Sequence, residues 1–135
     1  MLIRRHPKQA GFAGVCPFHG DCLEGLASGP AVRAAWGARS DALPPDHDFW
    51  EVEADYLAQA CANLALVVAP ERIVLGGGVM GAGALIEPIR RRTWALLGGY
   101  IAQLAEEEAV ARLIVPPASA EPSGLVGAYL LAKRT

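Results

Sequence analysis

Only two short stretches of this sequence have the character of β-strands, and a long helical segment separates them. The first, ERIVLGGG, is an apolar β-branched run that ends in glycines, and the second is RLIVP near the C-terminal end. Helical patterns precede, separate and follow these stretches, an alternation that is typical of an α/β layer. Two strands alone make a poor sheet. The sequence therefore predicts part of a larger α/β fold, whose sheet is completed by something else.

The most regular apolar stripe predicts one long helix. Apolar residues recur at helical spacing over residues 49–67, and Asp46 or Asp48 is placed to cap the start of this helix. Cys61 lies within the stripe and is expected to pack in the core. With 135 residues, 53% of them hydrophobic, the chain has enough apolar side chains for one ordinary core. We therefore expect a single domain over residues 1–135.

Shorter helices are predicted before and after the long one. Residues 22–36 suit a helix that is interrupted or restarted at its Gly-Pro step, and residues 85–97 suit a helix that a glycine pair ends. The segment YIAQLAEEEA is a further helical piece. The closing LVGAYLLAKR reads as an apolar helix with Lys133 and Arg134 at the negative end of its dipole.

Charge and hydropathy exclude several classes of partner. A net charge of -2 and a pI near 5.9 provide no general attraction to nucleic acid or to membrane phosphates. The only basic run, Arg90, Arg91 and Arg92, falls in a helical pattern and is expected to form a solvated face. The longest apolar run, LALVVA, is far shorter than the roughly 20 residues of a membrane-spanning helix. The N-terminus does not resemble a secretory signal, so a cytoplasmic protein without nucleic-acid or membrane partners is expected.

The stretch CPFHGDC places three potential metal ligands within seven residues. Cys16, His19 and Cys22 are spaced three and three apart, and thiolates with imidazole are the ligand types that Zn²⁺ selects. His6 is the better local candidate for a fourth ligand, and His47 is less plausible. The alternatives are a disulfide between the two cysteines, or reduced cysteines in an ordinary loop. Four closed ligands would make zinc a structural staple, because a catalytic zinc keeps one position open.

Three motifs together carry a resemblance to a known family. CPFHGDCLEGLASGPA, PERIVLGGGVM and SGLVGAYLLA are similar to the C-terminal part of a bacterial fructokinase of the ROK (repressor, ORF, kinase) family, over about residues 1–134. The resemblance implies an α/β fold that is an incomplete actin-like, ribonuclease H-like ATPase lobe with a zinc-stapled loop. That loop would cover about residues 6–24, with a helical and α/β remainder at residues 25–135.

The resemblance also implies a sugar contact beside the metal loop. It makes Cys16, His19 and Cys22 zinc ligands and Glu24 a residue that hydrogen-bonds the sugar hydroxyls. A carboxylate in the turn after a rigid metal loop is well placed for such contacts. The alternative for Glu24 is a first-turn acid that interacts favourably with its helix dipole.

The glycines after the first strand correspond to a nucleotide motif of the family. By resemblance, Gly76, Gly77 and Gly78 lie against the adenosine part of ATP, and Gly124 flanks the adenine. Backbone without side chains approaches a ligand closely and offers its N–H groups. The stretch is not a P-loop, since no Gly-Lys-Ser/Thr follows it. A glycine turn that merely redirects the chain is the alternative.

Two motifs of a complete kinase of this family do not occur in the sequence. These are the phosphate-binding Asp-x-Gly-Gly-Thr and the Asp-Thr-Asn segment whose aspartate is the general base, so we assign no catalytic residue. The family's Glu-x-Gly-His motif would place its histidine one position before Met1. His6 is therefore either the fourth zinc ligand or a bystander.

The sequence thus predicts the C-terminal portion of an ATP-dependent fructokinase. Structural Zn²⁺ is implied here, with Mg²⁺, ATP and fructose in the complete enzyme, and the isolated chain is expected to be inactive. A homodimer or a separate N-terminal half is the expected protein partner. The alternatives are a non-catalytic zinc-binding scaffold and the sugar-sensing part of a ROK repressor, although the CPFHGDC form favours the kinase branch.

Overall fold

The computed structural model describes residues 1–82, 84–119, 121 and 123–133 of the chain. Within these residues the chain forms six α-helices and two β-strands. In chain order they are α1 (Leu23–Ala27), α2 (Gly29–Trp36), α3 (Asp48–Val68), β1 (Ile73–Val74), α4 (Ile86–Leu97), α5 (Glu107–Leu113), β2 (Ile114–Val115) and α6 (Ser123–Ala132). Short 3₁₀ turns lie at Pro7–Gln9, Ser40–Ala42, Gly78–Ala82 and Ala102–Leu104.

Helix α3 forms the centre of the core, as its apolar stripe predicts. One side of it packs against α4, and the other side packs against α1. Phe49, Tyr56 and Cys61 are all fully buried on this helix. Burying a side chain such as that of Phe49 stabilises the fold by roughly 2–3 kcal/mol. The prediction that Cys61 packs in the core is confirmed, and burial raises the pKa of its thiol to about 12.

The start of α3 differs from the prediction. The cap is His47, whose Nδ1 accepts a hydrogen bond of 3.1 Å from the backbone N–H of Phe49. Asp48 is instead the first helical residue, and its carboxylate accepts a hydrogen bond of 2.7 Å from Lys8 Nζ. The proposed cap at Asp46 or Asp48 was therefore wrong, because the imidazole supplies the acceptor and the Asp48 carboxylate binds a lysine instead.

The N-terminal segment is attached to α3 by hydrogen bonds. The backbone of Arg4 makes two of them with the side-chain amide of Gln59, at 2.7 and 2.9 Å. The Tyr56 hydroxyl accepts from the backbone N–H of His6 at 3.2 Å and donates to Gln9 Oε1 at 3.0 Å. These bonds fix the direction from which the chain enters the loop that contains Cys16.

The two strands pair in parallel as a two-stranded sheet. Ile73 lies opposite Ile114 and Val74 opposite Val115. Both isoleucines are buried, whereas Val74 is 60% exposed. The second strand is shorter than RLIVP predicts, because its first two residues still belong to α5. Among the described residues the α/β architecture is thus confirmed in part, with a sheet of minimal width.

The arginine run does more than form the solvated face that was predicted. Arg90 Nε donates a hydrogen bond of 2.8 Å to the backbone carbonyl of Ile114, and Arg90 Nη1 pairs with Glu87 at 2.6 Å. Arg92 lies 3.8 Å from the Glu51 carboxylate, and Arg91 is exposed. Arg90 therefore connects α4 to β2.

The predicted helix boundaries agree with the structure except at YIAQLAEEEA, residues 100–109, where a 3₁₀ turn at Ala102–Leu104 comes first and α5 begins only at Glu107. The helix over residues 22–36 divides at Ser28, whose Oγ accepts from the N–H of Ala31 at 3.3 Å, and α4 ends at Gly98 with a φ of 55°. Lys133 directly follows α6, while the other predicted basic residue, Arg134, lies outside the described residues. None of the described helices combines the length and the hydropathy that crossing a membrane requires.

A carboxyl group is buried within the core. Glu53 of α3 is 1% exposed, and its Oε1 has no hydrogen-bond partner among the described residues. Burial raises the pKa of Glu53 from 4.5 to about 8. At neutral pH the group is therefore mainly in its neutral, protonated form.

Because Glu53 is a buried acid, we expect the free energy of unfolding to decrease as the pH rises. The folded-state pKa of Glu53 is raised, so its favourable contribution is complete below pH 4.5 and is lost as the pH rises towards 8. The loss in the free energy of unfolding is on the order of 4 kcal/mol over that interval. We expect the E53Q variant, which carries no titratable group, to show a much flatter profile in urea unfolding from pH 5 to pH 8. Parallel profiles for the two proteins would contradict the assignment.

Candidate metal centre and adjoining groove

The structure brings three of the predicted metal ligands together. The ligand atoms of Cys16, His19 and Cys22 all lie within 4.8 Å of one another, and Cys16 Sγ is 3.7 Å from His19 Nδ1. Around a tetrahedral zinc with bonds of about 2.0–2.3 Å, neighbouring ligand atoms are about 3.3–3.8 Å apart. The separation of Cys16 Sγ and His19 Nδ1 lies in that range, and two sulfurs with one imidazole nitrogen are a donor set whose chemistry fits zinc. No disulfide joins the cysteines, which are free.

Backbone hydrogen bonds hold the ligands in this arrangement. Cys16 and Gly20 exchange two of them, at 3.2 and 2.9 Å, which closes the turn that carries His19. Cys22 precedes α1, and the next N–H, that of Leu23, donates to the carbonyl of Met1 at 3.0 Å. The loop is thus closed by its own hydrogen bonds and is also hydrogen-bonded to the first residue of the chain.

Two glycines permit the close packing of this loop. A Cβ at Gly14 or at Gly25 would collide with the backbone carbonyl oxygen of Gly20, and Gly14 also has a φ of 85°. A Cβ at Gly25 would also come within 3.0 Å of the Cβ of Cys16. The start of α1 and the metal loop therefore approach each other more closely than any side chain allows.

Electrostatics in the loop favour the metal-binding form of one cysteine. The backbone N–H of His19, followed by that of Phe18, lowers the pKa of the Cys16 thiol to about 7. Thiolate is the form that binds zinc, so near neutral pH a substantial fraction of Cys16 is already in the metal-binding form.

His6, the predicted fourth ligand, does not join the cluster in this structure. Its Nδ1 accepts a hydrogen bond of 3.2 Å from the backbone N–H of Lys8, and its Nε2 lies 3.8 Å from Glu51 Oε1. His47 is engaged as the cap of α3. Among the described residues the metal-binding group thus consists of three side chains.

Glu24 lies in the first turn of α1, two residues after Cys22, and its side chain is exposed. No hydrogen bond or ion pair of this carboxylate is found within the described part of the chain. Glu24 therefore lies beside the metal loop, and its carboxylate is accessible to a ligand.

One of the three glycines of the predicted turn lines a groove. Gly76, Gly77 and Gly78 follow β1 and are exposed, with Gly77 at a φ of 94°. Gly78 lines a cavity of about 240 Å³ together with Gly29, Val32 and Arg33 of α2, whereas Gly76 and Gly77 are not among its lining residues. Gly124 lies in α6 and is not among the residues that line this cavity. We refer to the cavity as the α2 groove.

Sequence reasoning missed the residues that the fold adds to this groove. Arg39 and Ser40 close it between α2 and the glycine turn, and Ser40 Oγ donates a hydrogen bond of 3.3 Å to the carbonyl of Gly78. Val79 completes the lining beside Gly78. The separation of 38 residues between Ser40 and Gly78 left no local signal for this contact.

Comparisons with known proteins agree on one family. A model of the ROK family matches residues 4–135. A putative fructokinase of Bacillus subtilis (strain 168) is 40% identical over 132 residues, covering 98% of this chain and 44% of that protein. A fructokinase of Lactococcus lactis subsp. cremoris is 39% identical over 130 residues, covering 96% and 44%. One of Pediococcus pentosaceus is 42% identical over 122 residues, covering 90% and 41%, so this chain spans less than half the length of these curated relatives.

The close approach at Gly25 predicts a metal-affinity defect. In G25A the new methyl group must displace Gly20 and Cys16, so we expect zinc affinity to fall by about 10- to 100-fold. Competition titration against a chromophoric chelator measures the change. G11A is the matched control, because a Cβ there meets nothing within 4 Å. Equal zinc affinity in G25A and the unaltered chain would show that the loop tolerates the methyl group.

Proposed function

Because this chain belongs to the ROK family, we propose that it is the C-terminal part of an ATP-dependent fructokinase. The reaction is transfer of the γ-phosphoryl group of ATP to a hydroxyl of a hexose, carried out in the cytoplasm. The observation that carries the proposal is the similarity to curated fructokinases at about 40% identity over nearly the whole chain. The Cys-His-Cys geometry described above supports it independently.

Zinc acts as a structural staple in this proposal. Cys16, His19 and Cys22 hold it, and the bound ion would cross-link the loop directly before α1. The fourth ligand is either His6, after its ring leaves Lys8 and Glu51, or a histidine from outside this chain. In both cases the ion orders the loop and does not take part in phosphoryl transfer.

Glu24 positions the sugar. Its carboxylate accepts hydrogen bonds from sugar hydroxyls, and its place in the first turn of α1 is fixed by the adjoining loop. Because the backbone at Glu24 is already ordered, binding a hydroxyl pair needs to order only the side chain. Glu24 thus contributes affinity and orientation, whereas the proton of the attacking hydroxyl needs a separate base.

The glycine turn provides the nucleotide side of the site. Gly76, Gly77 and Gly78 offer exposed backbone to the adenosine part of ATP, with Gly124 assigned to the adenine by resemblance alone. Mg²⁺ accompanies ATP in the complete enzyme, where it neutralises charge on the phosphates. The phosphate-binding turn and the catalytic base belong to sequence that this chain does not contain. The isolated chain is therefore inactive and works with a missing N-terminal half, in an enzyme that forms a homodimer.

Zinc binding distinguishes the two candidates for the fourth ligand. We expect the purified chain to bind one zinc ion and expect H19A and C22S to lose it, because each removes one of three clustered donors. H6A should retain the ion, since the His6 ring is held by Lys8 and Glu51. Equilibrium dialysis with zinc quantification measures the stoichiometry.

C61A serves as the control for the loss of a cysteine, because Cys61 is buried in the core and is not part of the cluster. A loss of zinc in H6A equal to that in C22S would identify His6 as the fourth ligand. Retention of zinc in C22S would contradict the site itself.

A chimera tests the proposed activity. The part of the Bacillus subtilis putative fructokinase that this chain does not match is joined to the chain, and ATP-dependent phosphorylation of fructose is measured. We expect the chimera to be active and the isolated, zinc-loaded chain to be inactive. E24Q should lower kcat/KM for fructose by about 10- to 100-fold, because the charged acceptor is lost.

E71Q is the matched control, since Glu71 is an exposed glutamate ahead of β1. Phosphorylation by the isolated chain would overturn the conclusion that its base lies elsewhere. A folded, zinc-loaded chimera without activity would favour the alternative of a non-catalytic zinc-binding scaffold.

A further inference from the structure

A partly buried ion pair connects the N-terminal segment to the metal loop. Arg5 Nη2 donates a hydrogen bond of 2.8 Å to Asp21 Oδ2, which lies 16 residues further along the chain. The side chain of Arg5 is 25% exposed and that of Asp21 is 50% exposed. Within the ranges that the structure describes, the Arg5 guanidinium makes no other hydrogen bond, and its Nη1 is buried without a partner. The Asp21 carboxylate is therefore the group that holds this guanidinium.

The backbone on both sides of Arg5 is fixed to α3. Arg4 makes its two backbone hydrogen bonds with the Gln59 amide, and the N–H of His6 donates to the Tyr56 hydroxyl. Gln59 and Tyr56 both belong to this long core helix, and Tyr56 is fully buried. The Arg5 side chain therefore extends from a segment that the core holds in place.

Asp21 lies between two of the proposed zinc ligands. It follows His19 by two residues and directly precedes Cys22, and its backbone N–H donates a hydrogen bond of 2.7 Å to the carbonyl of His19. Fixing the Asp21 carboxylate therefore limits the movement of the ligands on both sides of it. In metal sites, groups that bind next to the direct ligands commonly set the orientation of those ligands.

We propose that Arg5 is a positioning residue of the metal loop, which by holding Asp21 keeps His19 and Cys22 at the spacing that a zinc ion needs. The inference rests on the zinc staple of the proposed function and adds to it a group that orders the loop from the N-terminal segment. The pair acts through geometry, because the guanidinium and the carboxylate largely neutralise each other's charge beside the ion.

Zinc titrations of the purified chain and its variants test this role. We expect R5Q and D21N each to lower zinc affinity by about five- to tenfold, and expect the double variant to lose no more than either alone. Such a loss lies between the small effect of an exposed ion pair and the roughly 10- to 100-fold effect of removing a group bonded directly to a ligand. R4Q and D46N are the matched controls, because Arg4 and Asp46 are exposed and neither side chain makes a hydrogen bond or ion pair among the described residues.

The spectrum of the cobalt-loaded chain distinguishes positioning from a general effect on stability. Co²⁺ accepts the same donors as Zn²⁺, and its visible absorption bands are strong in a tetrahedral site and weak when the coordination number rises. At saturating Co²⁺ we expect weaker bands in R5Q than in the unaltered chain, and unchanged bands in R4Q. An unchanged spectrum in R5Q together with a lower affinity would show that the pair only stabilises the fold, which overturns the inference.

Three further results also overturn the inference. Unchanged zinc affinity in R5Q removes Arg5 from the site. Tighter binding by R5Q together with weaker binding by D21N shows that the two residues act through their charges, since a nearby cation repels zinc and a nearby anion attracts it. Losses that add in the double variant show that the two residues act separately.

Zinc binding and the chimera separate this inference from the proposed function. If C22S loses zinc while R5Q binds it as tightly as the unaltered chain, the inference fails and the zinc staple stands. If the chimera does not phosphorylate fructose while R5Q and D21N weaken zinc binding as expected, the proposed function fails and the role of Arg5 stands. Failure of the unaltered chain to bind zinc removes the staple and this inference together.

Discussion

Helix α3 is the element on which the other parts of this structure depend, because they pack against both of its sides. Its buried aromatic residues Phe49 and Tyr56 anchor it to the core. The Tyr56 hydroxyl and the Gln59 amide also bind the N-terminal segment, which leads directly into the metal loop. The geometry of the candidate metal site thus rests on a helix that contributes no ligand to it. Packing against α4 on the opposite side connects the same helix to the small parallel sheet.

The two candidate functional features lie along one continuous helical pair. Cys22 directly precedes α1, and α2 begins two residues after α1 ends and forms a wall of the α2 groove. A metal that orders the loop before α1 therefore also constrains the position of α2. This arrangement offers a physical link between the proposed zinc site, the proposed sugar contact at Glu24 and the α2 groove. In the proposed kinase, whose rate would depend mainly on positioning two substrates, such a link would be useful.

Local patterns in the sequence predicted the helices well and the interactions between them less well. The stripe on α3, the break at Ser28 and the end of α4 at Gly98 all depend on residues within a few turns of one another. The cap at His47 was missed because the neighbouring aspartates are the more usual residues to cap a helix. Asp48 is bound instead by Lys8, which lies 40 residues away in the chain. The structural role of Arg90 was missed because its partner, the carbonyl of Ile114, lies 24 residues away on β2.

The sequence by itself determined the chemistry that the chain offers. The spacing of Cys16, His19 and Cys22 is so short that the loop brings the three donors close together, and the glycines after β1 leave backbone exposed. Only the tertiary structure decided which distant groups meet. It directed the His6 ring to Lys8 and Glu51, joined Ser40 to Gly78 across the groove, and buried the Glu53 carboxyl away from water. These outcomes depend on packing between segments far apart in the chain, and no local pattern of residue types specifies that packing.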